Sequence, residues 1–433
     1  MSNFVNAKKS RTGTTSSVAP AAAAAAVAAA PAVSSEKKAR SSTTSLAVPI
    51  DAAAKKSRTG STSLSTGAEQ ADVVAVVSPG RKGTASASDA PHISYADANA
   101  AAATALASLP TLKTVALGAY AFVNVVKYAE SGELFAVKVA DKATLLHLHL
   151  ARAVVRERKL LASLDTPWVV KLKCSLRDER RVYLQLALVG GGTLFSHLAQ
   201  GGVMSEKTAL HYAAELLCAI EALHGAGVAH GCLAPEHVGI DGDGHVVLLG
   251  FAHARWLTKV EVAGDNAADD EDLGTVARGM PCYVAPERLR GLPARAETDL
   301  WSFGSVVHDM LAGSPPFLAS SPEASFELIC EGRPNIAKSV PAPAAAMIRK
   351  LLHADPAKRD DIAAVREQKW FKGVDWAATA KRKVAAPLAD AAAKLQKDLA
   401  KAGTKKDREE ATLTEPPAIG PPVDVDGSVF GSF

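Results

Sequence analysis

The chain has 433 residues, a formal charge of +4 and 48% hydrophobic residues, enough apolar material for one large domain or two to three of average size. Its five cysteines, Cys174, Cys218, Cys232, Cys282 and Cys330, show no Cys-x-x-Cys spacing, which excludes a structural zinc ribbon and points to a reducing compartment. No strongly apolar run of about 18 residues occurs, so no transmembrane segment is expected.

Residues 1–105 are built from Ala, Ser, Thr, Lys and Val, with Tyr95 the sole aromatic beyond Phe4. Such a segment buries too little apolar area to offset its ordering entropy, so a disordered basic arm is expected. Residues 1–110 hold eleven Lys/Arg against six Asp/Glu, so the basic surplus belongs to the arm and the remainder is close to neutral. The arm repeats a basic and hydroxyl pattern: KKSRTGTTS at 8–16, KKARSSTTS at 37–45 and KKSRTGSTS at 55–63. That pattern suits a basophilic kinase, an import signal, an anionic surface or a solvated tail. No nucleic-acid partner is expected, and the expected location is cytoplasmic, with nuclear or organelle import by the arm left open.

Patterned structure begins near 111. Alternating apolar residues in TVALGAYAFVNVVKY, a turn at Ser131–Gly132, then LFAVKVA predict three antiparallel strands. ARAVVRERKLLASL has helical apolar spacing, and VVKLKCSLRDERRVYLQLALV reads as two further strands around a polar turn. Beyond the glycines at 190–192, helical patterns dominate, among them TALHYAAELLCAIEALHGAG, closed by glycine.

The ordered landmarks AVK, L-x-P-E, APE, D-x-W-S-F-G and PPF, with 19 residues from Lys138 to Glu157 and 60 from Asp299 to Arg359, resemble the protein kinase family. The match is nearest to the cyclic-AMP-dependent catalytic subunits of the AGC group. The resemblance implies an α+β, bilobal fold: a kinase-like domain over 111–371, with a small antiparallel-sheet lobe at 111–189 and a larger helical lobe at 193–371. It is followed by an AGC-type tail at 372–433. Phe430 and Phe433 resemble the terminal hydrophobic motif whose two rings dock on the small lobe.

For nucleotide binding the resemblance implies Lys138, Glu157, Gly118, Val123 and Ala136, with Lys138 and Glu157 as the ion pair that positions the α- and β-phosphates. Counted from Lys138, the family's three loop glycines fall on Ala116, Gly118 and Ala121, with Tyr120 at the tip. Gly239 stands where a large apolar residue normally forms the adenine floor.

The catalytic loop is where the chain departs from the family. HGCLAPEH at 230–237 puts Cys232 at the position of the base aspartate, Ala234 at that of the phosphate-stabilising lysine and His237 at that of a magnesium-binding asparagine. Gly231 replaces the arginine that receives an activation-loop phosphate. Gly250-Phe251-Ala252 stands in place of Asp-Phe-Gly, so the principal magnesium ligand is absent. No catalytic set is intact, no metal is expected, and Asp241 and Asp243 read as an ordinary hairpin turn. Cys232, near His230 and His237 but without triad spacing, reads as a structural thiol.

The framework residues are kept. Leu161, Leu172, His230 and Phe251 match the stacked positions that join the lobes, Asp299 matches their anchor, and Glu287 with Arg359 matches a buried ion pair. Glu236 and Asp309 match acidic positions that recognise a peptide arginine, whereas Thr193 and Cys282 replace two others. The activation segment is longer than usual, includes DNAADDEDL at 265–273, and places Thr275 beside the usual phosphothreonine position, which falls on Val276.

The expected function is a catalytically dead or severely impaired kinase-like protein, a binding or allosteric module that takes ATP without efficient transfer. Its expected partner is a regulatory subunit, a pseudosubstrate or an active paralogue. The alternative is a weakly active Ser/Thr protein kinase that transfers the ATP γ-phosphate to protein substrates of basic context.

Overall fold

The computed structural model describes residues 95–118, 120–128, 131–257, 281–401 and 430. The three Lys-Lys-x-Arg repeats, the acidic stretch 265–273, Thr275, Val276 and Phe433 lie outside them.

Five antiparallel strands form the small lobe: β1 (Thr111–Leu117), β2 (Ala121–Lys127), β3 (Leu134–Asp141), β4 (Leu172–Arg177) and β5 (Arg181–Ala187), in the order β1-β2-β3-β5-β4. Because side chains alternate across a strand, β3 sends Phe135, Val137 and Val139 to one face and Ala136, Lys138 and Ala140 to the other. The first set packs with Phe122, Val126 and Tyr183 in one cluster. Ala140 joins a second cluster with Val182, Leu184 and Val154. In this way one strand builds a core and lines the interlobe site at once.

The face carrying Phe135 and Val137 is covered by α1 (Tyr95–Ala107), whose Ala103 and Leu106 are buried there. Residues 95–105, expected to belong to the disordered arm, are helical instead. Asn99 Oδ1 accepts a hydrogen bond from the Arg177 backbone N–H at 2.8 Å, tying the helix to β4. Helix α2 (Lys142–His147), unforeseen in the sequence, follows β3 directly. The side chain of Asp141 caps it by accepting from the Thr144 N–H at 2.9 Å.

Helix α3 (Ala151–Ser163) buries Ala151, Val154, Val155, Leu160 and Leu161 along one stripe, with Glu157 on the same side. The large lobe comprises α4 (Leu194–Gly201), α5 (Glu206–Gly225), α6 (Pro286–Leu289), α7 (Ala296–Ala312), α8 (Pro322–Glu331), α9 (Ala342–Leu351) and α10 (Ile362–Arg366). Helix α7 is buried on every side from Thr298 to Leu311, as expected for a helix at the centre of a core. Short hairpin strands β7 (Val238–Ile240) and β8 (Val246–Leu248) pair antiparallel, and β6 (Val228–Ala229) pairs with β9 (Arg255–Trp256). Among the described residues no helix is long and apolar enough to cross a membrane.

The tail segment contributes α11 (Trp376–Ala380) and α12 (Ala389–Lys401). Helix α12 lies against the glycines between the lobes: a Cβ on Gly191 would meet the Ala392 Cβ at 2.7 Å and the Asp241 carbonyl oxygen at 2.5 Å. Only a residue without a side chain allows that approach. Tyr212 Oη donates to the Gly244 carbonyl at 3.0 Å and accepts from the Leu388 N–H at 3.1 Å, fixing the start of α12 to the hairpin turn.

Candidate functional site between the lobes

Lys138, on the site-facing side of β3, meets Glu157 at the middle of α3. Its Nζ lies 2.8 Å from Oε1 and 2.7 Å from Oε2. Burial works against the ammonium charge, but Glu157 and then Tyr120 outweigh it, so Lys138 is held above the usual lysine range. Tyr120 places its ring centroid 5.4 Å from Nζ, so the tip of the β1–β2 connection points inward at the cation. The connection itself is tight: the Gly118 N–H donates to the Ala121 carbonyl at 2.8 Å. Val123 pairs with Lys138 across the ladder, and Ala136 pairs with Val125 and Leu186. Four of the five residues proposed for nucleotide contact thus lie on or beside β1–β3, and the fifth, Glu157, reaches Lys138 from α3. The inward Tyr120 was not foreseen.

Opposite this corner, Cys232 and Ala234 are buried, and His237 and Gly250 face each other. A Cβ on Gly250 would lie 2.4 Å from His237 Cδ2 and 2.8 Å from Nε2. The imidazole therefore fills the space that any side chain at position 250 needs. Gly250 also has φ of 76°, a left-handed conformation that glycine adopts without strain. His237 Nδ1 lies 2.6 Å from the Cys232 carbonyl oxygen. Burial, reinforced by His230, pushes His237 down to about 4. A neutral ring that donates from Nδ1 to a carbonyl keeps a bare Nε2 lone pair on the side of Gly250.

Gly239, which the resemblance puts at the adenine floor, is enclosed in a similar way. A Cβ on Gly239 would meet Val189 Cγ1 at 2.8 Å and Leu249 Cδ1 at 2.9 Å, so two neighbours occupy the volume of the missing side chain. Leu249, immediately before Gly250, was not singled out from the sequence. The Asp241–Asp243 stretch is a turn, as expected: Asp241 Oδ1 accepts from the Asp243 and His245 N–H groups, and Oδ2 pairs with Arg382 at 3.0 Å.

The framework residues come together. His230 packs edge-on against Phe251 with centroids 4.9 Å apart, and Leu161 and Leu172 belong to or border the same core. Fully buried Asp299 accepts from the backbone N–H groups of His230 and Gly231, each at 2.8 Å. Glu287 and Arg359 form a bidentate pair with both contacts at 2.7 Å. Phe430 is buried against the small-lobe cluster containing Leu145, Val154 and Leu184. Its carbonyl accepts from Arg177 Nη1 at 2.5 Å, and Lys142 lies over its ring.

Glu236 and Asp309 have their own electrostatics. Tyr283 Oη donates to Asp309 Oδ2 at 2.7 Å. Burial raises the Asp309 carboxyl. Glu236 is pushed up to about 7, first by burial and then by Asp309, and its Oε2 is buried with no hydrogen-bond partner. An enclosed carboxylate oxygen without a donor fits an incoming guanidinium. Cys282 is buried nearby, and the Thr193 hydroxyl instead caps α4.

A family profile described as "Protein kinase domain" matches residues 110–371. The chain is 31% identical over 288 residues to the "cAMP-dependent protein kinase catalytic subunit PRKX" of Homo sapiens, covering 65% of this chain and 77% of that protein. It is 32% identical over 270 residues to the "Serine/threonine-protein kinase AtPK1/AtPK6" of Arabidopsis thaliana, covering 61% of this chain and 56% of the relative. It is 28% identical over 312 residues to the "cAMP-dependent protein kinase catalytic subunit" of Dictyostelium discoideum, covering 71% and 46%. The chain thus spans less than two thirds of the length of the last two.

Proposed function

The chain belongs to the protein kinase family, and from that premise we propose that it serves as a kinase-fold binding or allosteric module whose phosphoryl transfer is lost or severely impaired. The observation that carries this reading is the His237 ring packed into the place of a side chain at position 250. A magnesium ion in such a site requires hard oxygen ligands in near-octahedral order. Glycine supplies none and the imidazole supplies nitrogen, so the residues present do not fit magnesium. Cys232 and Ala234 remove in addition the carboxylate that accepts the substrate hydroxyl's proton and the cation that meets developing phosphoryl charge.

ATP binding itself rests on different residues. The Lys138 ammonium, held by Glu157, is the cation that can meet α- and β-phosphate oxygens. Thermal unfolding of the protein with ATP tests this, because a ligand that binds only the folded state raises its stability. At ATP about tenfold above its Kd, a rise of about 2 °C is expected, the same with and without magnesium. Lys138→Met should remove the shift. A shift that requires magnesium would contradict the proposal.

A second reading, a weakly active Ser/Thr protein kinase acting on basic-context substrates, is favoured by the kinase relatives named above and by the formed Lys138–Glu157 pair. It requires γ-phosphate transfer to an arginine-containing peptide, abolished by Lys138→Met. Under the first reading the wild type and Lys138→Met give the same background.

In either reading Glu236 and Asp309 are proposed to hold an arginine of a protein partner: a regulatory subunit, a pseudosubstrate or an active paralogue. Only the ionised carboxylate pairs with guanidinium. With Glu236 at about 7, affinity for an arginine peptide should rise roughly tenfold between pH 6 and pH 8 as the ionised fraction grows. Calorimetric titration across that range checks it, and Glu236→Gln should flatten the profile. A pH-independent wild-type affinity would remove Glu236 from the site.

A further inference from the structure

Apart from the residues described so far, α5 and the β7–β8 hairpin bring together three groups that the kinase reading does not use. His211 and Glu215 are one helical turn apart on α5 and so share a face. His245 enters from the turn before β8. His211 Nε2 lies 3.3 Å from Glu215 Oε1, and His245 Nδ1 lies 2.6 Å from the same oxygen. The three ligand atoms all fall within 4.8 Å of one another.

Two features separate this cluster from an ordinary hydrogen-bonded carboxylate. Glu215 is fully buried and its other oxygen, Oε2, is already satisfied by the Val246 N–H at 2.9 Å, which fixes the direction of Oε1. His211 Nε2 is buried and has no hydrogen-bond partner, although its side chain is only 9% exposed. It faces Oε1 without the alignment of a hydrogen bond. A buried polar atom left in this way calls for a ligand.

We propose that His211, Glu215 and His245 form a binding site for one zinc ion. Two imidazole nitrogens and one carboxylate oxygen are a donor set zinc accepts, with a fourth position left for water. Ligands about 2.0–2.1 Å from a tetrahedral ion stand about 3.3 Å apart. The His211–Glu215 distance already has that value, whereas the His245–Glu215 contact must open by about 0.7 Å as the ion displaces the shared proton. The His245 proton moves from Nδ1 to Nε2 by exchange with solvent, so the ring stays neutral, and the ion takes Nδ1, His211 Nε2 and Glu215 Oε1. The imidazoles disfavour magnesium and calcium, which prefer all-oxygen sites. The His211 and His245 side chains keep 9% and 12% of their surface exposed, so an ion reaches the site from the edge. Once bound, it joins α5 to the hairpin beside Gly244, where Tyr212 holds the start of α12. None of this depends on whether the chain transfers phosphate.

Equilibrium dialysis of the full chain against micromolar zinc, paired with thermal unfolding, tests the site. One zinc per chain is expected, with unfolding raised by about 4 °C at a hundredfold excess over Kd and no effect of magnesium. His211→Phe keeps the ring volume and its edge-on contact with Tyr212 but removes a donor. It should abolish both the stoichiometric zinc and the shift. His245→Gln gives the same answer if the first variant does not fold. Zinc retained at one per chain in either folded variant would assign the metal to other groups, such as the free cysteines, and overturn the proposal. So would the absence of binding to the wild type.

Discussion

Arg359→Ala is expected to lower folding stability by about 3–5 kcal/mol, because it leaves the Glu287 carboxylate buried without its partner. Arg359 is only 7% exposed and each of its three side-chain nitrogens donates a hydrogen bond. Nε donates to the His353 carbonyl, Nη1 to Glu287 Oε1 and the Glu297 carbonyl, and Nη2 to Glu287 Oε2. The guanidinium also lies 5.0 Å from the Trp301 ring centroid. Burial raises the Glu287 carboxyl, but the Arg359 hydrogen bonds and charge outweigh it and leave it below the usual range. A group with a depressed folded value contributes stability above its unfolded value of about 4.5 and loses it as pH falls through the folded one. Denaturant unfolding should therefore show the full gap between wild type and Arg359→Ala at pH 7.5 and a narrower gap near pH 4. The double replacement Glu287→Met/Arg359→Met should recover most of the loss, since no lone charge is then buried. A single-variant loss under about 1 kcal/mol at pH 7.5 would contradict this account of the pair.

The small-lobe sheet was legible because period-two alternation is written locally, as in Phe135, Val137 and Val139 against Ala136, Lys138 and Ala140. The Lys138–Glu157 pair was legible because its separation is set by one strand, one connection and half a helix. Helix α1 was not. YADANAAAATALA reads as weakly apolar low complexity, and what orders it is tertiary: Ala103 and Leu106 cover one face of the sheet and Asn99 reaches Arg177. The site hid a different kind of information. His237 and Gly250 read along the chain as two separate losses, yet in space they are one exchange, with a ring placed where a side chain was given up. Gly239 with Leu249 and Val189 repeats that relation. Complementarity between distant positions leaves no local signal. The same holds for His245, which joins the helical pair His211 and Glu215 across a separation of 30 residues.

Gly250→Asp alone should therefore fail to restore a metal ligand and should destabilise the protein by about 2–4 kcal/mol. Two costs combine: left-handed backbone that favours glycine, about 1 kcal/mol, and overpacking against the His237 ring, about 1–3 kcal/mol. With His237→Asn added, the shorter side chain vacates the ring's volume and supplies an amide oxygen. The double variant should be more stable than Gly250→Asp, with a coupling of about 1–3 kcal/mol in the thermodynamic cycle, as for residues in direct contact. It should also gain a magnesium-dependent component in its thermal shift with ATP, because an aspartate and an asparagine would then offer hard oxygens to a magnesium ion. Transfer should stay at background until Cys232→Asp and Ala234→Lys are added, since proton acceptance and charge stabilisation are still missing. Additive stabilities across the cycle would mean that the His237 ring does not occupy the place of the aspartate. A magnesium-dependent ATP shift in the unmodified chain would mean that the ion is held by oxygens other than those lost at positions 237 and 250.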